Sequence, residues 1–396
     1  MSATLLLFWI GLAILFYCYA GYGLVLFAME KIRGLFSTRP KKQRREEAFL
    51  PVTLIVTAFD EEEVLKKKIE NSLAIDYPSE KLNIIFITDG SADSSPSLVK
   101  RYESIRLMHQ PERQGKSAAI KRAMRFVQTP IVIFSDANSM LNKDCIKHMM
   151  PHYRSSAVGA VAGEKKIIKN DRSAVSKAEG LYWQYESFMK KRDAGLYTVT
   201  GAAGELYSIR TGLFRQISDE VILDDFVISL QVCLRGCRIA YEPRAFASEV
   251  ASASLGEEEK RKVRIAAGAY HSLGYLSDCL NIFKYPLLGL QFISRKILRW
   301  IVCPLLLPFL LFANILIVSN QPAGGFYYWF LIAQALLYTT ALAGWIIIRK
   351  GKNVPVFTIP FYFLFMNYCQ VKGFIKFISG KQTVLWEKSL RQVMEP

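Results

Sequence analysis

Four oxygen-bearing side chains stand where apolar runs stop. Asp60 follows the run Val52 to Ala58, Asp89 follows Leu82 to Thr88, and Asp136 and Asn138 follow Pro130 to Ser135. Short runs rich in Val, Ile and Phe, bounded by polar residues, read as β-strands. In open α/β sheets, ligands bind outside the carboxyl ends of the strands, so acids at three such ends point to one pocket. Taken singly, each is equally an ordinary turn or helix-capping residue. The triplet Asp136-Ala137-Asn138 has a chemistry of its own. Two side-chain oxygens two residues apart can share a hard cation, and Mg²⁺ or Mn²⁺ favours such oxygens together with substrate phosphates. A cation there neutralises a diphosphate leaving group.

The elements that must position these groups alternate in type. Glu61 to Leu73 has helical spacing at Val64, Leu65, Ile69 and Leu73, Ser94 to Tyr102 can be a helix, and Ser117 to Val127 puts Ile120, Met124 and Val127 on one face. Ile105 to His109 reads as a further short strand. Strand and helix in alternation predict an α/β domain with a mainly parallel sheet covered by helices.

Composition sets what surrounds this domain. The chain has 396 residues, 51 Lys plus Arg against 34 Asp plus Glu, a formal charge of +17, and 51% hydrophobic residues. That combination excludes a disordered chain. It requires apolar and charged segments to be segregated, and they are. No charge occurs over residues 1–29, 300–348 or 354–371. A helix crosses a bilayer with about 20 mostly apolar residues. The first stretch reads as one anchor span, too long and aromatic for a signal peptide. The second reads as two spans with a turn from Ser319 to Gly325. The third is short for a span and is interrupted by Pro355 and Pro360. Basic clusters at Lys31, Arg33, Arg39, Lys41, Lys42, Arg44 and Arg45, at Arg295, Lys296 and Arg299, and at Arg349, Lys350 and Lys352 put the middle of the chain in the cytoplasm. The tail residues Lys372, Lys376, Lys381, Lys388 and Arg391 stay on that side if 354–371 is re-entrant or interfacial. The expected organisation is an N-terminal span (1–29), a basic juxtamembrane linker (30–49), a cytoplasmic domain (50–255), basic interfacial helices (256–299), a C-terminal membrane region (300–371) and a cytoplasmic or interfacial tail (372–396). Because the basic residues hug span ends, they argue for membrane lipid rather than nucleic acid as a partner. The seven scattered cysteines suggest neither zinc nor disulfides. His148 and His152 read as a surface pair, and Gly115-Lys116-Ser117 lacks the earlier glycine of a phosphate-binding P-loop.

Six short motifs occur in order: Thr57-Ala58-Phe59-Asp60-Glu61-Glu62, Thr88-Asp89-Gly90-Ser91-Ala92-Asp93-Ser94, Gly115-Lys116, Ser135-Asp136-Ala137-Asn138, Gly201-Ala202-Ala203-Gly204-Glu205 and Asp224-Asp225. Together, from Pro51 to about Gly268, they resemble the membrane-integrated family-2 glycosyltransferases, the branch of the cellulose, chitin, hyaluronan and poly-N-acetylglucosamine synthases. The resemblance implies a GT-A fold and a nucleotide-sugar donor, most often UDP-linked. It implies inversion by direct displacement, with a divalent metal, Mg²⁺ or Mn²⁺. By the same resemblance, Thr57, Ala58 and Asp60 lie around the base, and Asp89 contacts uracil or ribose. Asp136 and Asn138 hold metal and diphosphate, and Gly201, Gly204 and Glu205 lie beside the acceptor. Asp225 is the general base that deprotonates the attacking hydroxyl. Asp224 or Asp225 can instead cap the following helix. Lys116 is either a point charge at the phosphates or an ordinary first-turn lysine. Trp183 and Tyr185 either stack on a sugar or pack in a core.

Three positions depart from the family pattern. Asp60 stands where Asn is common, and Asn138 where a second acid is usual. The stretch Arg261-Lys262-Val263-Arg264-Ile265 keeps only the Arg of the Q-x-x-R-W motif of processive synthases. Arg264 can bind diphosphate oxygens. As a basic helix, 260–264 can equally touch anionic lipid. The expected activity is transfer of a hexose or N-acetylhexosamine from a UDP-sugar to a growing polysaccharide at a bacterial inner membrane, with accessory export subunits as candidate partners. Single addition to a polyprenyl-phosphate or other lipid-linked acceptor is the alternative. A non-catalytic membrane scaffold with a nucleotide-binding domain is the reading from another class.

Overall fold

The computed structural model describes residues 3–36, 49–168, 174–320 and 324–385. The linker residues Arg39, Lys41, Lys42, Arg44 and Arg45, and Lys388 and Arg391 of the tail, lie outside the described residues. Eight strands form one sheet: β1 (Val52–Ala58), β2 (Leu82–Asp89), β3 (Arg106–Gln110), β4 (Ile131–Asp136), β5 (Met140–Leu141), β6 (Val158–Ile168), β7 (Tyr207–Arg210) and β8 (Arg238–Val250). Their order is β3-β2-β1-β4-β7-β6-β8-β5. The first four run parallel. The chain then reverses, with β7 antiparallel to both β4 and β6. The expected mainly parallel sheet is therefore present as a four-strand block plus the parallel pair β6–β8, within a mixed sheet.

The apolar runs become strands because both sheet faces are covered. Successive side chains point to opposite faces. Accordingly Leu54, Val56, Ile84, Phe86, Ile131 and Ile133 enter one core with Leu65, Ile69 and Val99 from helices 62–73 and 95–100. Ile55, Ile85, Ile87, Val132 and Phe134 enter the other, with Ala119, Ile120, Phe226, Val227 and Leu230 from helices 116–124 and 224–234.

Among the described residues, three helical runs are long and apolar enough to cross a membrane: Ala3–Ile32, Pro286–Ser319 and Phe326–Arg349. The second begins earlier than its charge-free core suggests, because the basic residues near its start are neutralised inside the protein. Arg295 bonds Glu186 at 2.8 Å and Asp193 at 3.1 Å, and Arg299 pairs with Glu186. Both acids lie on the helix Ala174–Leu196. That helix packs on residues 22–36 through Tyr22, Leu26, Met189 and Leu196, and Tyr22 donates to Asp193 at 2.6 Å. The prolines expected to interrupt 354–371 do not do so. Pro355 opens a helix that runs unbroken to Ile378, with Pro360 early in it. This helix lies along Leu255–Tyr275, where Gly373 permits contact with Ala266 and Lys372 pairs with Glu259.

Candidate functional site

Asp136 ends β4 opposite Thr57 of β1, at the edge of the parallel block, where the strand order switches direction. The Ala137 amide donates to the Thr57 carbonyl at 3.2 Å and fixes the loop that carries Asp136 and Asn138. Helix 116–124 starts just after Gly115, whose φ of +96° turns the chain sharply. It brings Lys116 Nζ to 2.7 Å from Asp136 Oδ1 and 3.5 Å from Asp224 Oδ1. Asp224 and Asp225 form the first turn of helix 224–234, where the helix dipole favours anions. The N-cap is Leu223, with no side-chain cap, so neither acid caps this helix as the sequence had allowed. Gly204 faces the same centre. A Cβ at Gly204 would lie 3.1 Å from Lys116 Nζ and 3.4 Å from both Asp136 Oδ2 and Asp225 Oδ2. Three charged side chains thus converge on the gap that glycine leaves.

Burial, and then the charge of Asp224, pushes the Asp225 carboxyl up to about 7. Asp224 is raised too, by burial, with Lys116 opposing. Burial works against the Lys116 ammonium, but Asp136, Asp224 and Asp225 outweigh it and hold the charge on. Lys116 is therefore no ordinary first-turn lysine. Arg264 is half-buried. Burial draws its guanidinium below its usual value, and the charges of Asp136, Asp224 and Asp225 oppose that.

Other expected residues have different neighbours. Asp89 is only 1% exposed. Its Oδ2 accepts from the amides of Gln114 (3.0 Å) and Gly115 (2.7 Å), and its Oδ1 meets Arg122 at 3.1 Å. It holds the turn before Lys116. Asp60, at φ +50°, accepts from the Ala92 amide and ties β1 to the loop after β2. Gly201, at φ +111°, is required because a Cβ would meet the Phe226 ring at 2.5 Å. Glu205 points into a buried pair with Lys165, which outweighs burial and holds its carboxyl down to about 2. Lys165 also pairs with Glu249. The lipid-facing reading of 260–264 is corrected for two of its residues. Arg261 is buried against Glu179 and Glu258, and Lys262 lies 3.5 Å from Glu258. Of the two aromatic candidates, Trp183 stands beside Lys165, with the ammonium 5.0 Å from its ring, and its indole N–H is buried without a partner. Tyr185 lies on a separate cavity of about 320 Å³ toward the apolar helices, lined by Tyr19, Tyr182, Trp300 and Tyr362 together with polar residues such as Arg299 and Asn367.

Sequence reasoning missed Lys68, Tyr207 and Val384. Lys68 is fully buried below the Asp136 loop. Its signal was a charge on the buried face formed by Leu65, Ile69 and Ser72. Tyr207 stacks on Phe134 under the three acids, with its hydroxyl buried and unpartnered. Val384 reaches Gly115 from the far end of the chain, a contact no local pattern announces.

A hard cation suits this set. Asp224 Oδ2 is buried without a hydrogen-bond partner, and the Gly204 gap is lined by oxygens of Asp136 and Asp225. Among the described residues, no group of three or more His, Cys, Asp or Glu side chains could by itself hold a metal. A cation here takes few protein oxygens and completes its shell from substrate, as Mg²⁺ commonly does.

Residues 53–218 match the family model described as Glycosyl transferase family 2. Over 272 residues the chain is 28% identical to a poly-beta-1,6-N-acetyl-D-glucosamine synthase of Staphylococcus aureus, covering 64% of this chain and 63% of the relative. Over 216 residues it is 26% identical to a beta-monoglucosyldiacylglycerol synthase of Trichormus variabilis, covering 51% of this chain and 45% of the relative. In structure it is similar to a mannosyltransferase from Pyrobaculum calidifontis in complex with GDP-Man and Mn²⁺. The TM-score is 0.69 at 20% sequence identity, over 95% of this chain and 100% of the other. The fold is thus of GT-A type, and the residues that match the glycosyl transferase family 2 model, 53–218, lie between apolar helices toward the two ends of the chain.

Proposed function

We propose that the protein is an inverting glycosyltransferase that moves a hexose or N-acetylhexosamine from a UDP-sugar to a growing polysaccharide at the membrane. The convergence of Lys116, Asp136 and Asp225 on the gap at Gly204 carries this reading. Direct displacement needs one carboxylate to take the proton of the attacking hydroxyl. A carboxyl raised to about 7 is poised for that at neutral pH. Asp225 is that base. Thr57, Ala58 and Asp60 border the nucleotide, and Asp89 shapes its site by holding Gly115. Lys116 and Arg264 face the diphosphate as fixed positive charges. Asp136, with Asn138, holds the Mg²⁺ or Mn²⁺, which when bound offsets the charge of the leaving diphosphate. Gly204 leaves room for the reacting groups, and Trp183 offers the acceptor sugar an aromatic face.

The domain works on the cytoplasmic face of a bacterial inner membrane. Helix 355–378 lies in the interface, since Tyr362 bonds Glu258 at 3.0 Å while Lys372 pairs with Glu259, keeping both its halves along helix 255–275. The cavity beside Tyr185 favours a second reading, single addition to a lipid-linked acceptor, because its walls include Leu181 and Ile359. The purified protein is given a panel of radiolabelled UDP- and GDP-sugars, with and without Mn²⁺. A metal-dependent ladder from one UDP-sugar supports polymerisation, and one lipid-soluble product supports the second reading. No transfer from any nucleotide sugar rejects both.

A further inference from the structure

Among the described residues, the buried Lys68 has no carboxylate within ion-pair distance. Burying an ammonium without an ion pair is costly, so such a lysine is retained only where its hydrogen bonds are worth that cost. Its Nζ donates to Ser135 Oγ at 2.7 Å and to the Ser139 carbonyl. These residues bracket the loop that carries Asp136 and Asn138. Ser135 Oγ in turn donates to the Glu205 carbonyl at 2.9 Å. One ammonium therefore grips both ends of the Asp136 loop and, through one hydroxyl, the backbone just after Gly204. The two walls of the site meet at this residue, which touches neither wall's reacting side chain.

We propose that Lys68 is a positioning residue that sets the separation between the Asp136 loop and the Gly204–Glu205 loop, and with it the reach of Asp136 to the metal-diphosphate. The proposal rests on the glycosyltransferase reading only for its catalytic consequence. Methionine at this position would keep the length and apolar stem and remove every donor. Ser135→Ala would keep the grip on Ser139 and remove the Lys68–Ser135 bond together with the branch to Glu205. Lys68→Met and Ser135→Ala therefore separate the two branches.

The test uses the full chain in lipid nanodiscs. Hydrogen exchange of segments 135–139 and 203–206 is measured together with Mn²⁺ affinity in the presence of UDP by electron paramagnetic resonance, the KM for donor, and kcat. Lys68→Met is expected to lose exchange protection in both segments and to weaken Mn²⁺ binding about tenfold, as loss of an outer-shell partner typically does. It is also expected to lower kcat about tenfold or more, because small misplacements cost rate steeply. Ser135→Ala is expected to lose protection at 203–206, to lose less protection at 135–139 than Lys68→Met does, and to weaken Mn²⁺ binding less than Lys68→Met while lowering kcat. A folded Lys68→Met with exchange, Mn²⁺ affinity and kcat all as in wild type overturns the proposal. If Lys68→Met does not fold, a Ser135→Ala protein with wild-type exchange at 203–206 overturns it. Should the wild type transfer no sugar, the functional reading fails, and the exchange measurement still decides the role of Lys68.

Discussion

The proposed base makes the rate depend on pH in a direction the geometry fixes. Asp225 is held up at about 7 by burial and by Asp224 beside it. A general base acts only when ionised. About one pH unit below 7 roughly a tenth of the sites carry the carboxylate, and one unit above, about nine tenths. The kcat/KM measured at saturating Mn²⁺ should therefore rise about tenfold between about pH 6 and about pH 8. Asp224→Asn removes the like charge, so the acid limb should move to lower pH. Lys116→Met removes the cation that opposes the rise, so the limb should move up. Asp225→Asn should lose on the order of a hundredfold or more of kcat and flatten the profile. The same ionisation has a consequence for stability. The folded state keeps this proton over the range from the ordinary carboxylate value up to about 7, where the unfolded chain has lost it. Stability from this group is thus full below that range and declines as pH rises through it, and the decline should vanish in Asp225→Asn. A wild-type profile flat across this range, or an Asp225→Asn protein with near-normal kcat, would refute the assignment.

Three further outcomes follow from contacts in the site and its frame. Gly204→Ala puts a methyl 3.1 Å from Lys116 Nζ and 3.4 Å from two carboxylate oxygens, so kcat should fall about 10- to 100-fold with the melting temperature nearly unchanged. Asn138→Asp restores a second carboxylate beside Asp136, and calorimetry should show roughly several-fold tighter Mn²⁺ binding. Arg261→Met leaves Glu179 buried without Arg261 and Glu258 with only Lys262 at 3.5 Å, and should cost about 3–5 kcal/mol in chemical denaturation, unless Glu179 is neutralised as well.

The parallel block was legible because strands buried on both faces appear as unbroken apolar runs. β1 begins and ends as its run does. The places of Asp136 and Lys116 were legible for a related reason, since both sit at element boundaries that sequence can locate. What stayed hidden depends on distant partners. Nothing local shows that the Gly115 amide turns back onto Asp89. Arg261 and Lys262 looked lipid-facing because Glu179 is far away in sequence and only Glu258 is near. The second long apolar helical run begins before its charge-free stretch, and its arginines are matched by Glu186 and Asp193 on another helix, a pairing no local pattern shows.

These pairings also tie the site to the membrane-facing helices. Glu205, one residue from the Gly204 gap, pairs with Lys165. Lys165 pairs with Glu249, and Glu249 lies 4.0 Å from Arg261. Arg261 pairs with Glu258, which accepts from Tyr362 of the helix that lies along it. The links are buried or, at Glu205, half-buried, so the set resists piecemeal change. A run of buried ion pairs is rarely the most stable way to fill a core, since apolar residues of similar volume often do as well. Its use here is geometric. It fixes the wall of the pocket at Glu205 relative to helix 255–275, which carries Arg264 on one face and rests on helix 355–378 along another. The pocket and the C-terminal apolar helices are thereby held in one frame.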